Sequence, residues 1–107
     1  MKIILLCALG MSTSLLVKKM NREAASQSID ATIEAYSADD LEEQLENADI
    51  ILLGPQIRYK KRKIFQQAEE AGVPIDVIDM KAYGVLDEKK VLKQALSLKN
   101  KQGREGQ

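Results

Sequence analysis

The chain contains no histidine, no tryptophan and only one cysteine. A single cysteine excludes an internal disulfide framework, and the lack of histidine argues against a zinc site. Neither sign of charge is in excess, since 16 basic and 16 acidic residues balance, so a general affinity for nucleic acid or another polyanion is not expected. No apolar run approaches the length of a membrane span. These absences predict a cytoplasmic protein of a reducing compartment that needs no metal and no cofactor.

The 107 residues are enough for one domain with a single core. Apolar residues make up 45% of the chain and charged residues 30%, which is typical of a globular protein. We expect residues 1–99 to form the domain. Residues 100–107 are polar and include two glycines, so we expect a disordered tail there.

Strand and helix patterns alternate along the chain. Residues 2–6 and 49–53 are almost continuously apolar, which is typical of strands buried on both faces of a parallel sheet. Residues 31–36 and 75–79 mix polar and apolar positions, which predicts edge strands. Helical periodicity separates the four segments. The prediction is an α/β domain with a four-stranded parallel sheet of order 2-1-3-4, helices on both faces and right-handed crossovers.

This topology predicts where a ligand binds. In an open α/β sheet, ligands bind beyond the carboxyl ends of the strands, where the strand order reverses. Here that point lies between the first and third strands. The loop that begins at Cys7 and the segment 54–59 are expected to face each other there, with residues 80–84 completing the rim.

Cys7 begins a turn between the first strand and a helix. Unpaired backbone N–H groups at such a turn favour a thiolate and a bound oxyanion such as phosphate. Gly10 permits a close approach to phosphate, and the neighbouring hydroxyls either cap the helix or contact a phosphoryl oxygen. The alternative is that Cys7 is a small buried apolar residue. The predicted phosphate-binding loop comprises Ala8, Leu9, Gly10, Met11, Ser12, Thr13 and Ser14.

Residues 7–16, with the pattern C-x-x-G-M-S-T-S-L-L, resemble the phosphorylation loop of lactose/cellobiose-type enzyme IIB proteins of the sugar phosphotransferase system (PTS). Residues 54–59 and 77–84 resemble later segments of that family. The resemblance implies that Cys7 is a phosphocysteine that receives its phosphoryl group from a phosphohistidine of enzyme IIA. The acceptor would be a β-linked disaccharide or β-glucoside of the cellobiose, chitobiose or lactose class, bound in the membrane enzyme IIC. The protein would then associate peripherally with that permease.

Two other classes share this architecture. Low-molecular-weight tyrosine phosphatases and thiol arsenate reductases resemble it, but such phosphatases carry an arginine six positions after the cysteine, where this chain has Thr13. Without that arginine, hydrolysis of a phosphocysteine is expected to be slow. A receiver-like switch would gather acidic residues at the end of the first strand, where this chain has Leu5, Leu6 and Cys7.

Charge is distributed unevenly along the chain. Five basic residues fall between positions 58 and 63, and five acidic residues fall between positions 39 and 46. These runs predict either two solvated helix faces or, for the basic run, a surface that steers an acidic or phosphorylated partner. No recognition motif supports nucleic-acid binding. The predicted docking rim comprises Met11, Gln56, Arg58, Tyr59, Lys60, Lys61 and Tyr83.

Overall fold

The computed structural model describes residues 1–7 and 13–105. Within these two ranges the chain forms four strands, namely β1 (Lys2–Cys7), β2 (Thr32–Ser37), β3 (Ile50–Leu53) and β4 (Ile75–Val77). The same ranges contain five α-helices, namely α1 (Ser14–Ser26), α2 (Leu41–Leu45), α3 (Lys61–Ala71), α4 (Met80–Gly84) and α5 (Glu88–Glu105). Short 3-10 turns over Ala38–Asp40 and Pro55–Lys60 lead into α2 and α3.

The strands form one parallel sheet of order β2-β1-β3-β4, which confirms the predicted topology. The two apolar strands are central: every residue of β3 is buried, and so is all of β1 after its first residue. The two mixed strands are at the edges, where one side of each backbone has no neighbour in the sheet and polar side chains reach solvent. In the register of the sheet, Cys7 lies beside Ser37 of β2.

A core lies on each face of the sheet because successive side chains of a strand point to opposite faces. On one face, Ile3 and Leu5 pack with α1, α4 and α5. On the other face, Ile4 and Leu6 pack with residues of α2 and α3. Burial of each isoleucine or leucine side chain stabilises the folded state by roughly 1.5–3 kcal/mol relative to leaving that side chain exposed. β1 therefore contributes to both cores, and its carboxyl end is held rigidly.

Helix α3 ends at a glycine. Gly72 follows the helix with a φ of +75°, in the left-handed region that favours glycine. The N–H of Val73 donates to the carbonyl of Ala68 at 2.9 Å, which satisfies one of the last carbonyls of the helix. The chain can therefore turn sharply into β4.

Two boundaries differ from the sequence-based predictions. The predicted strand 75–79 ends at Val77, because the Asp79 carboxylate accepts a hydrogen bond from the N–H of Ala82 at 3.0 Å and caps α4. Helix α5 continues to Glu105, past the domain boundary expected at residue 99. The disordered tail stays a prediction. None of the helices in the described ranges is both long and apolar enough to span a membrane.

Candidate functional site

Cys7 is the last residue of β1 and lies buried at the predicted switch point. The chain that leaves β3 passes directly beside it, since the N–H of Gly54 donates to the carbonyl of Leu6 at 2.8 Å. A Cβ atom added at Gly54 would lie 3.6 Å from the Cβ of Cys7 and 3.2 Å from the Leu6 carbonyl oxygen. The absence of a side chain at position 54 therefore permits this close approach.

Thr13 directs its hydroxyl at the thiol. The distance from Thr13 Oγ1 to Cys7 Sγ is 3.5 Å, and both residues are fully buried. Thr13 occupies the N-cap position of α1, yet its side chain makes no capping hydrogen bond. A thiolate has no proton to donate, so the hydroxyl is the donor whenever Cys7 is ionised. Capping was one of two predicted uses of this hydroxyl, and the structure shows the contact with the thiol instead.

The rest of the predicted phosphate-binding loop is only partly described. Ser14 is the first residue of α1, and its side chain is exposed. Residues 8–12 lie outside the described ranges, so the predicted contributions of Ala8, Leu9, Gly10, Met11 and Ser12 stay predictions.

The structure brings the other two rim segments together. Gln56 Nε2 donates a hydrogen bond to Tyr83 Oη at 2.7 Å, which links the turn after β3 to α4. The Tyr83 ring is half-buried and packs against the core beneath α4. Gln56 and Tyr83 thus form a bridge along one side of the site.

Gln94 of α5, which the sequence did not reveal, holds the loop before α4, the helix that carries Tyr83. Its amide nitrogen donates to the Val77 carbonyl at 2.8 Å and to the Asp76 carboxylate at 3.0 Å. Its amide oxygen accepts a hydrogen bond from the N–H of Asp79 at 3.1 Å. A glutamine in an amphipathic helix carries no sequence signal for such a role, because its partners are more than 14 residues away along the chain.

Exposed apolar side chains occur in the segments that leave this end of the sheet. Among the described residues, the large hydrophobic side chains that are exposed belong to Leu15, Tyr59, Met80 and Val85. Each lies in a segment that follows the carboxyl end of β1, β3 or β4. Tyr59 was predicted as a rim residue, whereas Leu15 and Val85 were not. We refer to these four residues as the apolar ring.

The five cations of positions 58–63 are all exposed. Lys61 begins α3, where the helix dipole disfavours positive charge, and the first turn of α3 contains no acidic residue. Lys60 Nζ lies 5.9 Å from the centroid of the Tyr59 ring, and Lys61 Nζ lies 5.1 Å from that of Phe65. In the described ranges, no group of three or more His, Cys, Asp or Glu side chains is arranged to hold a metal ion.

Together these features define the class: an open, parallel α/β domain with a buried cysteine thiol at the switch point of its sheet. The family model "PTS system, Lactose/Cellobiose specific IIB subunit" matches residues 2–94. The chain belongs to this family, whose members are phosphotransferase subunits that work with enzymes IIA and IIC of the sugar phosphotransferase system.

Relatives of known name share nearly half of the sequence. The oligo-beta-mannoside-specific EIIB component of Bacillus subtilis is 45% identical over 97 residues, covering 91% of this chain and 94% of the relative. The galactose-specific and cellobiose-specific EIIB components of two Lactococcus lactis strains are each 46% identical over 103 residues, covering 92% of this chain and 95% of each relative. Relatives that are named for different sugars are thus equally similar in sequence to this chain.

Solved structures agree on the fold. The cellobiose-specific IIB component of Borrelia burgdorferi superposes with a TM-score of 0.81 at 38% identity, covering 95% of this chain and 94% of that chain. The lactose-specific IIB domain of Streptococcus pneumoniae superposes with a TM-score of 0.79 at 23% identity, covering 91% and 95%. The fold of this chain is therefore that of PTS IIB domains, which share the architecture of low-molecular-weight tyrosine phosphatases.

Proposed function

We propose that Cys7 carries the phosphoryl group between enzyme IIA and a sugar bound in enzyme IIC. The observation that carries this proposal is the position of the thiol, at the switch point of the sheet and 3.5 Å from the Thr13 hydroxyl. The thiolate sulfur attacks the phosphorus of the partner's phosphohistidine. An S–P bond forms, the P–N bond breaks, and the partner's imidazole retains the electron pair and becomes protonated.

The second transfer returns Cys7 to its starting state. A sugar hydroxyl oxygen attacks the phosphorus, an O–P bond forms, and the S–P bond breaks to release the thiolate. The hydroxyl proton passes to a base beside the sugar, and this chain has no histidine to offer for that role. Both steps need in-line geometry and donors aimed at the phosphoryl oxygens more than they need further covalent chemistry.

The residue at position 13 supports a carrier rather than a hydrolase. Its side chain contacts Cys7 Sγ, so this is a position from which a side chain acts on the reacting group. Threonine supplies one neutral donor there, whereas arginine would supply a charged bidentate clamp. Because a charged clamp stabilises the transition state of hydrolysis, its absence favours a phosphocysteine that persists until the acceptor arrives.

The sugar is proposed as a class only, a β-linked disaccharide or β-glucoside. The named relatives act on different sugars at nearly the same identity to this chain, which supports a sugar-selecting site in enzyme IIC rather than in this subunit. Such a subunit works in the cytoplasm at the inner surface of the permease.

The test is phosphorylation by a purified, isotopically labelled phospho-enzyme IIA of the lactose/cellobiose class. We expect label on wild-type protein, mapped to Cys7 by mass spectrometry, and transfer of that label to sugar when membranes containing enzyme IIC are added. Cys7→Ala is expected to remain unlabelled while circular dichroism shows an intact fold. Label retained by Cys7→Ala would contradict the proposal, and rapid release of free phosphate from the wild type would favour a phosphatase.

A further inference from the structure

The basic run at positions 58–63 is divided between two grooves. Lys60 and Lys63 face Asp39 and Glu42 across a groove between α2 and α3, where carboxylates lie nearby. The other three cations lie on the opposite side of the turn and line a shallow groove of about 560 Å³. We call this second groove the cationic groove; its lining residues include Arg58, Tyr59, Lys61, Arg62 and Phe65.

The cationic groove has an excess of positive charge. Three cations line it against one carboxylate, Glu69, and among the described side chains none of the three lies within ion-pair distance of an acidic group. Arg62 and Lys61 also occupy the first turn of α3, where the helix dipole adds further positive potential. Repulsion between these cations and the helix dipole lowers the stability of the first turn of α3. Negative charge on a bound partner would offset this repulsion.

The groove also carries aromatic surface that stays open to contact. Tyr59 is 76% exposed, although a tyrosine ring gains from burial. It stands at one side of the groove, and Phe65 lies beneath Lys61 within the groove. Aromatic and arginine side chains are the residues most enriched at binding hot spots of protein interfaces.

The groove adjoins the site of Cys7. Only three residues separate Gly54, which lies against Cys7, from Arg58. Tyr59 belongs both to the groove and to the apolar ring, whose residues lie in the segments that follow the carboxyl ends of the strands. A protein that covers the apolar ring is therefore in a position to reach into the groove.

We propose that the cationic groove binds an acidic segment of the enzyme IIA partner; this rests on the proposed function, in which enzyme IIA delivers the phosphoryl group. A concave groove with aromatic surface fits a peptide segment, whereas a bilayer surface is planar and needs a protruding basic face. The phosphorylated donor carries additional negative charge that it loses on transfer. The groove therefore attracts the loaded donor more strongly than the spent one.

The test is the rate of Cys7 labelling by phospho-enzyme IIA for the triple variant Arg58→Gln, Lys61→Gln, Arg62→Gln. At an ionic strength of about 0.01 M we expect kcat/KM to fall about tenfold, mainly through KM, because steering charges act on encounter. At about 1 M salt, where charges are screened within about 3 Å, the variant and the wild type should differ less than about twofold.

The matched control is Lys89→Gln, Lys90→Gln, Lys93→Gln. These three lysines are exposed on α5, which packs on the opposite face of the sheet from α3, and the change in net charge is the same. We expect the control to retain wild-type kcat/KM at both salt concentrations. An equal loss in both variants would overturn the proposal, since only overall charge would then matter.

Two further results would overturn it while leaving the proposed function intact. One is unchanged labelling kinetics in the groove variant, with Cys7 still the labelled residue. The other is normal labelling but weakened binding to vesicles containing anionic lipid, which would assign the groove to a membrane surface. Chemical-shift changes at residues 58–66, in addition to those around Cys7, on addition of enzyme IIA would support the proposal directly.

Discussion

The amino and carboxyl ends of this sheet differ in how their polar and apolar groups are used. At the amino end, the N–H of Lys2 donates to the Asp49 carboxylate at 2.7 Å, and the N-terminal ammonium donates to the Asp30 carbonyl at 3.2 Å. Lys99 Nζ approaches the same Asp49 carboxylate at 3.8 Å. The N-terminal ammonium, the Asp49 carboxylate and the Lys99 ammonium therefore have partners within the chain.

The carboxyl end of the sheet differs, because exposed apolar and cationic side chains lie in the segments there. The apolar ring and the cationic groove lie there, together with the buried contact between Cys7 and Thr13. Open parallel α/β sheets bind ligands beyond the carboxyl ends of their strands. We therefore expect the carboxyl end to contact partners and the amino end to contribute to stability alone. Substitutions at the two ends should separate these roles.

The largest effect is expected for Gly54→Ala at the carboxyl end. The new Cβ would meet Gln56 Oε1 at 2.8 Å, which displaces that flexible side chain, and the Leu6 carbonyl oxygen at 3.2 Å, which requires the two backbones beside Cys7 to separate slightly. We expect a loss of about 2 kcal/mol in the free energy of unfolding, together with slower phosphoryl transfer. Gly84→Ala is the control, because a Cβ there meets nothing within 4 Å. Equal stability of the two variants, measured by urea unfolding, would refute the crowding at position 54.

Asp49→Ala at the amino end is expected to cost stability alone. It leaves the N–H of Lys2 without its acceptor, which we expect to lower the free energy of unfolding by about 1.5 kcal/mol. Asp30→Ala is the control, since Asp30 contributes its backbone carbonyl rather than its exposed side chain. Transfer kinetics should match the wild type in both variants. A slower transfer in Asp49→Ala would show that the two ends are coupled.

Thr13→Val tests the donor beside the thiol at nearly constant volume. Loss of the hydroxyl should slow single-turnover labelling of Cys7 about tenfold, since a hydrogen bond to a charged group contributes about 1.5–3 kcal/mol. Thr13→Ser keeps the hydroxyl and should restore most of the rate. If the valine variant were as fast as the wild type and the serine variant slow, packing of the threonine methyl group would matter at this position, and not hydrogen bonding to sulfur.

The smallest effect is expected at the bridge between Gln56 and Tyr83. Because this hydrogen bond is exposed, Tyr83→Phe should lower the free energy of unfolding by only about 0.5 kcal/mol. A double-mutant cycle with Gln56→Leu measures the pairwise energy. A coupling energy near zero would mean that the two rim segments are held by packing and by the hydrogen bonds of Gln94 instead.

The sequence predicted the sheet more fully than the site. Strand order followed from which segments were continuously apolar, since only central strands are buried on both faces. Helix α4 was missed because its five residues are too few to show a helical period. The basic run looked uniform in sequence, whereas successive residues in a helical turn point about 100° apart, so three cations line one groove and two line another.

Local sequence by itself determined the α/β class, the order of the strands and the position of Cys7 at the end of a buried strand. These follow from short-range periodicity and from general rules of chain connection. Tertiary structure alone decided which partners meet: the Thr13 hydroxyl with the thiol, Gln56 with Tyr83, and Gln94 with the loop before α4. Most of these contacts join residues far apart in the chain, and their geometry is fixed only when both cores are packed.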